Sequence, residues 1–234
     1  MPPQSPTPTV TASGVFIAII IDDIGYNYGR EVQALIASPY QVTLAILPEV
    51  EYGPQIAKDA EIQGKEVVMH LPMEKALDMP GTIYTWMGEQ QIRDLLAADI
   101  NDVPGAVGIN NHMGVYGTSD PATMRVVMSF VRERGLFFVD SRVTGNSVVS
   151  QMAAEQGMPA LVRDVFLDGE ESHGYIRGQL NRLRGVALEK GFAIGIGHIR
   201  SEGITNLINE VAAAWVAEGI QLVPVSHLLH FVGG

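Results

Sequence analysis

Short apolar segments recur along this chain, and the stretches between them have helical patterns. The segments are rich in valine and isoleucine and are almost continuously apolar, which is typical of strands buried on both faces of a sheet. Strands that alternate with helices form parallel sheets covered by helices, so the sequence predicts an α/β fold. Eight such segments occur, at residues 15–21, 42–47, 66–71, 106–110, 136–140, 160–164, 192–197 and 221–225.

The number of strand–helix units favours one architecture. Because residues 15–234 hold eight strand-like segments with helical patterns between them, we predict a single-domain distorted (β/α) barrel of seven to eight parallel strands. The rival architecture is an open doubly wound sheet. Residues 1–14 are rich in Pro, Ser and Thr without an apolar period, which predicts an extended linker outside the barrel.

Some helix boundaries can be predicted from residues that favour helix ends. Ser119, Asp120 and Pro121 are residue types that begin a helix, and Gly135 is the type that ends one. By the same reasoning, Ser201 is expected to begin a helix after the strand at 192–197.

Composition narrows the classes of ligand and partner. The net charge of −11 repels phosphate backbones, so we expect no nucleic-acid partner. No stretch reaches the roughly 20 apolar residues of a transmembrane helix, so no membrane span is expected. The chain has no cysteine, and any metal must therefore be held by His, Asp or Glu.

Reactive side chains stand at the ends of five of the predicted strands. The carboxyl ends of parallel barrel strands share one rim, which is where the active sites of such barrels lie. Imidazole and carboxylate groups gathered there would form a hard-ligand site suited to Zn²⁺ or a similar divalent ion. The residues concerned are Asp22 and Asp23, His70, His112, Asp140 and His198.

Each of these residues also has a structural interpretation. A single histidine at a strand end is often a hydrogen-bonded turn residue, and Asp140 could hold Arg142 or cap the next helix. The other three histidines, His173, His227 and His230, lie in helical or terminal segments and are interpreted as surface or core residues.

A metal at such a rim has a direct chemical use. A bound divalent ion lowers the pKa of a coordinated water toward about 7 and stabilises the oxyanion of a tetrahedral intermediate. A neighbouring carboxylate can act as the base, and a histidine can protonate the leaving amine. These residue types therefore predict hydrolysis of an amide or an ester.

The motifs "IIIDDIG", "MHLPME", "GINNHMG" and "FFVDSR" resemble the divergent branch of the polysaccharide deacetylases, as do "GH" on the penultimate strand and the closing "GIQLVPVSHLL". The resemblance covers nearly all of residues 15–229. It implies a metal-dependent enzyme of bacterial origin, periplasmic or secreted, that removes acetyl groups from chitin-like or peptidoglycan sugars. It also implies that Asp22 is the base, Asp23 a metal ligand and His198 the general acid.

The sequence departs from the mainstream family at the third strand. That family has two metal-binding histidines four residues apart, whereas this chain has His70 and Glu74 at that spacing. His112, on the following strand, is expected to replace the missing histidine, so that Asp23, His70 and His112 bind one divalent ion, expected to be Zn²⁺. Glu74 is either a further ligand or a residue that orients His70.

Other residues in the same motifs complete the predicted site. Asp140 is assigned to the catalytic group with Asp22 and His198. The candidates for binding the substrate are Glu74, Asn111 and Arg142.

Two functions from different classes fit these observations. The first is a metal-dependent hydrolase that removes acetyl groups from an acetylated glycan or oligosaccharide. The alternative is a non-catalytic metal- or glycan-binding envelope protein on the same barrel. In such a binding protein, aromatic residues could form an exposed platform for sugar rings. The candidates are Tyr26, Tyr28, Tyr84, Trp86 and Tyr116.

Overall fold

In the computed structural model, which describes residues 14–74 and 79–232, nine parallel strands form one sheet. The strands are β1 (Val15–Ile24), β2 (Thr43–Ile46), β3 (Val67–Pro72), β4 (Gly108–His112), β5 (Phe137–Asp140), β6 (Leu161–Val162), β7 (Val165–Phe166), β8 (Phe192–His198) and β9 (Ile220–Leu222). Each predicted strand segment overlaps at least one of them. The predicted linker lies outside the described residues except for Gly14, and it stays a prediction.

The two edge strands of the sheet, β6 and β7, lie in one short segment of the chain. The strand order is β6-β5-β4-β3-β2-β1-β8-β7, and β9 pairs with β1. β6 pairs with β5 at one end and β7 pairs with β8 at the other, while only Arg163 and Asp164 separate β6 from β7. The sheet therefore curls into a distorted barrel, as the sequence predicts, rather than the open doubly wound sheet.

The first strand lies in the interior of the sheet and has neighbours on both edges. β8 pairs with it from Phe16 to Asp22. Its other edge is shared, because β9 pairs with Val15–Ile17 and β2 pairs with Ile20–Ile24.

Helices surround this sheet on the outside. In the described part of the chain they are α1 (Arg30–Ile36), α2 (Gly53–Ile62), α3 (Glu89–Asp102), α4 (Pro121–Glu133), α5 (Val149–Glu155), α6 (His173–Lys190) and α7 (Ile204–Ala217). A further short helix, α8 (Leu229–Val232), packs instead against Phe16 on the inner side of the sheet. None of these helices is both long and apolar enough to cross a membrane.

The predicted boundaries of α4 are confirmed, but the predicted start of α7 is wrong. Asp120 caps α4 by accepting a hydrogen bond from the backbone N–H of Thr123, and Gly135 follows the helix with a φ of 66°. α7 begins at Ile204 after Gly203, which has a φ of 74°. Ser201 does not cap it, because its hydroxyl group donates to the carboxylate of Asp168 instead.

Alternation along the strands divides the buried residues into two clusters. In β1, Phe16, Ala18 and Ile20 belong to the smaller cluster inside the barrel. Ile17, Ile19 and Ile21 belong to the larger cluster between the sheet and the helices. The inner positions are filled by side chains, so the barrel has a packed core with functional groups only at its rim.

Candidate metal and catalytic site

Four polar side chains lie at the rim of the barrel and face inward, namely those of Asp22, His70, Asn110 and His198. They follow inward residues at a spacing of two, as Asp22 follows Ile20 and His198 follows Ile196. The strand register then brings them together in pairs, because Asp22 lies opposite His198 and His70 lies opposite Asn110. Asp22, His70 and Asn110 are all buried.

Asp23 joins this group through an irregularity in β1. Simple alternation would turn Asp23 away from its neighbour Asp22. Instead, the register between β1 and β2 shifts between Ile21 and Ile24, and Asp23 has a φ of 64°. This left-handed conformation costs about 1–3 kcal/mol for a residue other than glycine. As a result, both carboxylates face His70: its Nε2 lies 3.2 Å from Oδ1 of Asp23 and 3.7 Å from Oδ2 of Asp22.

Asp23, His70 and His112 offer three ligand atoms that form a nearly equilateral triangle. Oδ1 of Asp23 lies 3.0 Å from Nδ1 of His112 and 3.2 Å from Nε2 of His70. The two ring nitrogens are 3.1 Å apart. Zinc–ligand distances of about 2.0–2.2 Å place tetrahedral ligand atoms roughly 3.3–3.6 Å apart, so a small outward shift of these three ligand atoms would fit a zinc-sized ion. Among the described residues, this is the group of three potential ligands that could hold a metal.

The remaining polar atoms of two ligands are held by the protein. Nδ1 of His70 donates a hydrogen bond of 2.9 Å to Oδ1 of Asn110, which leaves Nε2 free to bind the ion. The second carboxylate oxygen of Asp23 pairs with the guanidinium group of Arg200. Both contacts favour the orientation in which His70 and Asp23 face the metal position.

Asp22 lies beside the ligand group. Its Oδ1 accepts a hydrogen bond of 2.8 Å from the amide of Asn110. Burial raises the pKa of Asp22 and outweighs the lowering by His70. Burial would also raise the pKa of Asp23, but the neighbouring side chains of His112 and His70 outweigh this effect and hold the pKa of Asp23 well below its usual range. The adjacent carboxyl groups therefore have opposite electrostatic environments.

His198 is held by a carboxylate that the sequence analysis missed. Oδ1 of Asp168 lies 3.0 Å from Nδ1 of His198, and Oδ2 accepts a hydrogen bond of 2.8 Å from its backbone N–H. Burial would raise the pKa of Asp168, but the hydrogen bonds and charge of His198 lower it, helped by Ser201. The ionised carboxylate keeps the proton on Nδ1 of His198 and leaves Nε2 for a reacting group.

A family model described as divergent polysaccharide deacetylase matches residues 19–229. The chain belongs to the divergent polysaccharide deacetylase family. The match includes every residue of the site described above and confirms the resemblance carried by the sequence motifs.

Comparisons with individual proteins agree with this family assignment. An uncharacterized protein of Haemophilus influenzae is 35% identical over 215 residues, which cover 91% of this chain and 76% of that protein. The crystal structure of the uncharacterized protein ATU2773 from Agrobacterium tumefaciens C58 matches with a TM-score of 0.87 and 25% identity, over 94% of this chain and 92% of that one.

A deacetylase domain shares the fold at lower similarity. The catalytic domain of peptidoglycan N-acetylglucosamine deacetylase from Eubacterium rectale ATCC 33656 matches with a TM-score of 0.51 and 15% identity, over 94% of this chain and 92% of that chain. The barrel of this divergent polysaccharide deacetylase family member is therefore an architecture that deacetylases also use.

Asp140 does not join the ligand group. In β5, Phe137 and Val139 face the inside of the barrel, so Asp140 faces outward by alternation. Its Oδ1 accepts a 2.7 Å hydrogen bond from the backbone N–H of Arg142, and its Oδ2 accepts one from the hydroxyl of Ser147. This is the loop-holding arrangement described above as the structural alternative for this residue.

The three candidates for substrate binding are also placed outside the ligand group. Asn111 connects the ends of β4 and β5. Its side-chain oxygen accepts a hydrogen bond from the backbone N–H of Ser141, and its NH₂ group donates one to the carbonyl of Met113. Glu74 accepts a hydrogen bond of 3.2 Å from the backbone N–H of Val115. Arg142 is exposed and has a φ of 49°. Their roles in binding a substrate stay predictions.

Asn110 and Asp168 are the functional residues that sequence analysis missed, and both had a detectable signal. Asn110 is two residues before His112, so alternation places both side chains on the same face of β4. Asp168 follows β7, which begins at Val165, whereas the predicted strand ended at Asp164. A strand placed a few residues later would have put Asp168 at the rim with the other acidic groups.

A cavity of about 400 Å³ opens beside Asp23. Besides Asp23, it is lined by Tyr26, Asn27, Gly29, Arg30, Glu31, Ile199 and Arg200. Of the aromatic candidates for a platform, Trp86 is exposed and stacks on Tyr84 at a centroid distance of 5.4 Å. Tyr28 instead donates a hydrogen bond to Asp59.

Proposed function

We propose that this protein is a metal-dependent hydrolase that removes acetyl groups from an acetylated carbohydrate. The observation that carries the proposal is the arrangement of Asp22 and His198 beside the ligand atoms of Asp23, His70 and His112. The family assignment supports the same activity. Zn²⁺ is the proposed ion because two imidazole nitrogens and one carboxylate oxygen leave a fourth tetrahedral position for water or substrate.

Each residue has a defined task in this reaction. A divalent ion held by Asp23, His70 and His112 would supply an acidified water and would polarise the acetyl carbonyl group. Asp22 accepts the proton of the water as its oxygen attacks the carbonyl carbon, and Asn110 holds the Asp22 carboxylate during this step. His198 then donates a proton to the nitrogen or oxygen of the sugar as its bond to the carbonyl carbon breaks. The products are acetate and the deacetylated sugar.

The surroundings of His198 suit an acid in this step. Its Nδ1–H is bound by Asp168, which fixes the tautomer in which Nε2 is left for the reacting group. Phe166 packs edge-on against the imidazole ring at a centroid distance of 5.3 Å, which limits the orientations that the ring can adopt. Asp168 and Phe166 together hold the ring at the end of β8.

A second function is favoured by the exposed aromatic surface. Trp86 is 71% exposed and stacks on Tyr84 nearly in parallel, an arrangement that can bind the apolar face of a sugar ring. A non-catalytic glycan-binding protein of the cell envelope would use this surface without turnover. In either case we propose a location outside the cytoplasm, where acetylated envelope glycans occur, and cell fractionation would test it.

Metal analysis followed by an acetate-release assay tests the proposal. Protein purified without chelator should contain one divalent ion per chain and release acetate from at least one member of a panel of acetylated glycans. Asp22→Asn should keep the ion while turnover falls by about 10²–10⁴-fold, because only the base is removed. Metal-loaded wild-type protein that binds glycans but releases no acetate would favour the non-catalytic alternative.

A further inference from the structure

Asn110 is the most deeply buried polar residue of the site, and both ends of its amide are used. The residue is fully buried in the middle of β4. Its Oδ1 accepts a hydrogen bond of 2.9 Å from Nδ1 of His70. Its amide nitrogen donates one of 2.8 Å to Asp22, and the hydroxyl oxygen of Ser141 lies 3.5 Å from the same nitrogen. One side chain thus connects a metal ligand to the proposed base.

The polarity of the amide fixes which end faces which partner. An ionised Asp22 carboxylate has hydrogen-bond acceptors but no donor, so the NH₂ group of Asn110 must face it. The carbonyl oxygen of Asn110 then faces His70, and an acceptor there requires the proton of the neutral imidazole to be on Nδ1. The lone pair of Nε2 is therefore directed toward Asp23 and His112, where the ligand atoms converge.

We propose that Asn110 is a positioning residue with two linked tasks. It fixes His70 in the tautomer that presents Nε2 to a divalent ion, and it holds the Asp22 carboxylate in place beside that ion. This inference rests on the proposed function and deepens it. A neutral amide suits both tasks because it has one acceptor and one donor group, whereas a carboxylate or an apolar side chain lacks at least one of them.

Substitution by aspartate separates the two tasks. Asn110→Asp keeps an acceptor for Nδ1–H of His70 in nearly the same place, but it loses the donor to Asp22 and adds a like charge beside it. Metal binding should therefore be retained while hydrolysis falls. Asn110→Ala removes both contacts, so it should weaken metal binding as well.

Zinc titration of four proteins tests this separation. Calorimetry on wild type, Asn110→Asp, Asn110→Ala and Asn111→Ala should show Asn110→Asp binding zinc within a few-fold of wild type or more tightly. Asn110→Ala should bind about 10–100-fold more weakly. Asn111→Ala removes the adjacent buried amide, which holds Ser141 rather than His70, and it measures the effect of a damaged strand end.

Nitrogen NMR on the same zinc-loaded proteins reports the tautomer directly. Nδ1 of His70 should carry a slowly exchanging proton in wild type and Asn110→Asp, and that signal should be lost or exchange quickly in Asn110→Ala. In Asn111→Ala, the signal of the proton on Nδ1 of His70 should be the same as in wild type. A role limited to packing would affect folding stability without this pattern of proton signals.

The outcomes separate this inference from the proposed function. If wild-type protein binds no zinc, both fail. If wild type binds zinc but Asn110→Ala binds it equally well, or Asn110→Asp loses it as Asn110→Ala does, the role of Asn110 is wrong and the metal site stands. Should Asn110→Ala not fold, the wild-type proton signal and the zinc affinity of Asn110→Asp still decide the question.

Discussion

Asp168 binds His198 at two points, through Nδ1 of the ring at 3.0 Å and through the backbone N–H at 2.8 Å. The first contact fixes the tautomer of the imidazole, and the second fixes the end of β8 from which the ring projects. The side chain of Asp168 is completely buried, so water does not compete for these contacts. The orientation of the proposed acid therefore depends on this one carboxylate.

Replacing Asp168 tests that dependence. In Asp168→Asn the side chain keeps its shape but can present an NH₂ group to Nδ1, which favours the wrong tautomer of His198. We expect acetate release to fall by about 10²–10⁴-fold with the metal content unchanged. Asp164→Asn is a matched control, because Asp164 also binds a backbone N–H of β8, that of Ile194, without touching His198. Equal losses in both variants would contradict the assignment.

The role of His198 as an acid predicts a dependence on the leaving group. His198→Ala should lose most activity toward N-acetyl substrates, because an amine must be protonated to leave, and much less toward an activated acetyl ester. Rates on the two substrate types and the metal content of the variant should be measured together. Equal losses on both substrates would exclude this role, and loss of metal would make His198 a ligand.

His112 provides the clearest test of the ligand group. His112→Ala removes one corner of the triangle of donors, and we expect zinc affinity to fall by more than about 100-fold, beyond the usual effect of a residue behind the ligands. His230→Ala is the control, since His230 is an exposed histidine near the carboxyl terminus. Calorimetric titration of both variants gives the comparison. If His112→Ala matches the control, another group must replace it.

The buried carboxyl group of Asp99 should make the free energy of unfolding depend on pH. This residue of α3 is fully buried, and within the described part of the chain neither carboxylate oxygen has a hydrogen-bond partner. Burial, together with the charges of Glu49 and Asp102, raises the pKa of Asp99 to about 8. Since the unfolded value is about 3.9, the folded state holds a proton that the unfolded state lacks between roughly pH 4 and 8. Stability should therefore fall as pH rises through this window.

Asp99→Asn removes this pH dependence. The free energy of unfolding of the variant relative to wild type should increase with pH, by up to about 1.4 kcal/mol per pH unit, and level off above pH 8. Denaturant unfolding at several pH values measures it. Asp94→Asn, on the exposed face of the same helix, should show no such trend. Parallel curves for wild type and Asp99→Asn would contradict the prediction.

The apolar segments predicted most of the fold because continuous burial on both faces is a strong signal. The least accurate segment was 160–164, where the chain forms two two-residue strands on opposite sides of the closure. Such short strands contain too few residues to show a pattern of their own. That error also hid Asp168, whose position depends on where β7 ends.

Within the site, the types of residue at the strand ends were more predictable from the sequence than the directions in which their side chains point. Asp22, His70 and His198 follow from strand ends and alternation. The approach of Asp23 does not, because it depends on a register shift and a left-handed backbone that local sequence does not specify. Asp140 was assigned to the site for lying at a strand end, but its outward position in β5 directs it to the following loop.

The pairing of β1 on both of its edges has a consequence for how the chain folds. A chain synthesised from its amino terminus makes this strand first, yet β8 and β9, which pair with it, follow about 170 to 200 residues later. Long-range pairing of this kind slows folding, because a large loop must be closed before the contact forms. Until β8 is available, β1 is an apolar strand with one unpaired edge, and such edges promote aggregation. The sheet of the nascent chain therefore stays incomplete, and dependent on protection of β1, until β8 and β9 have been made.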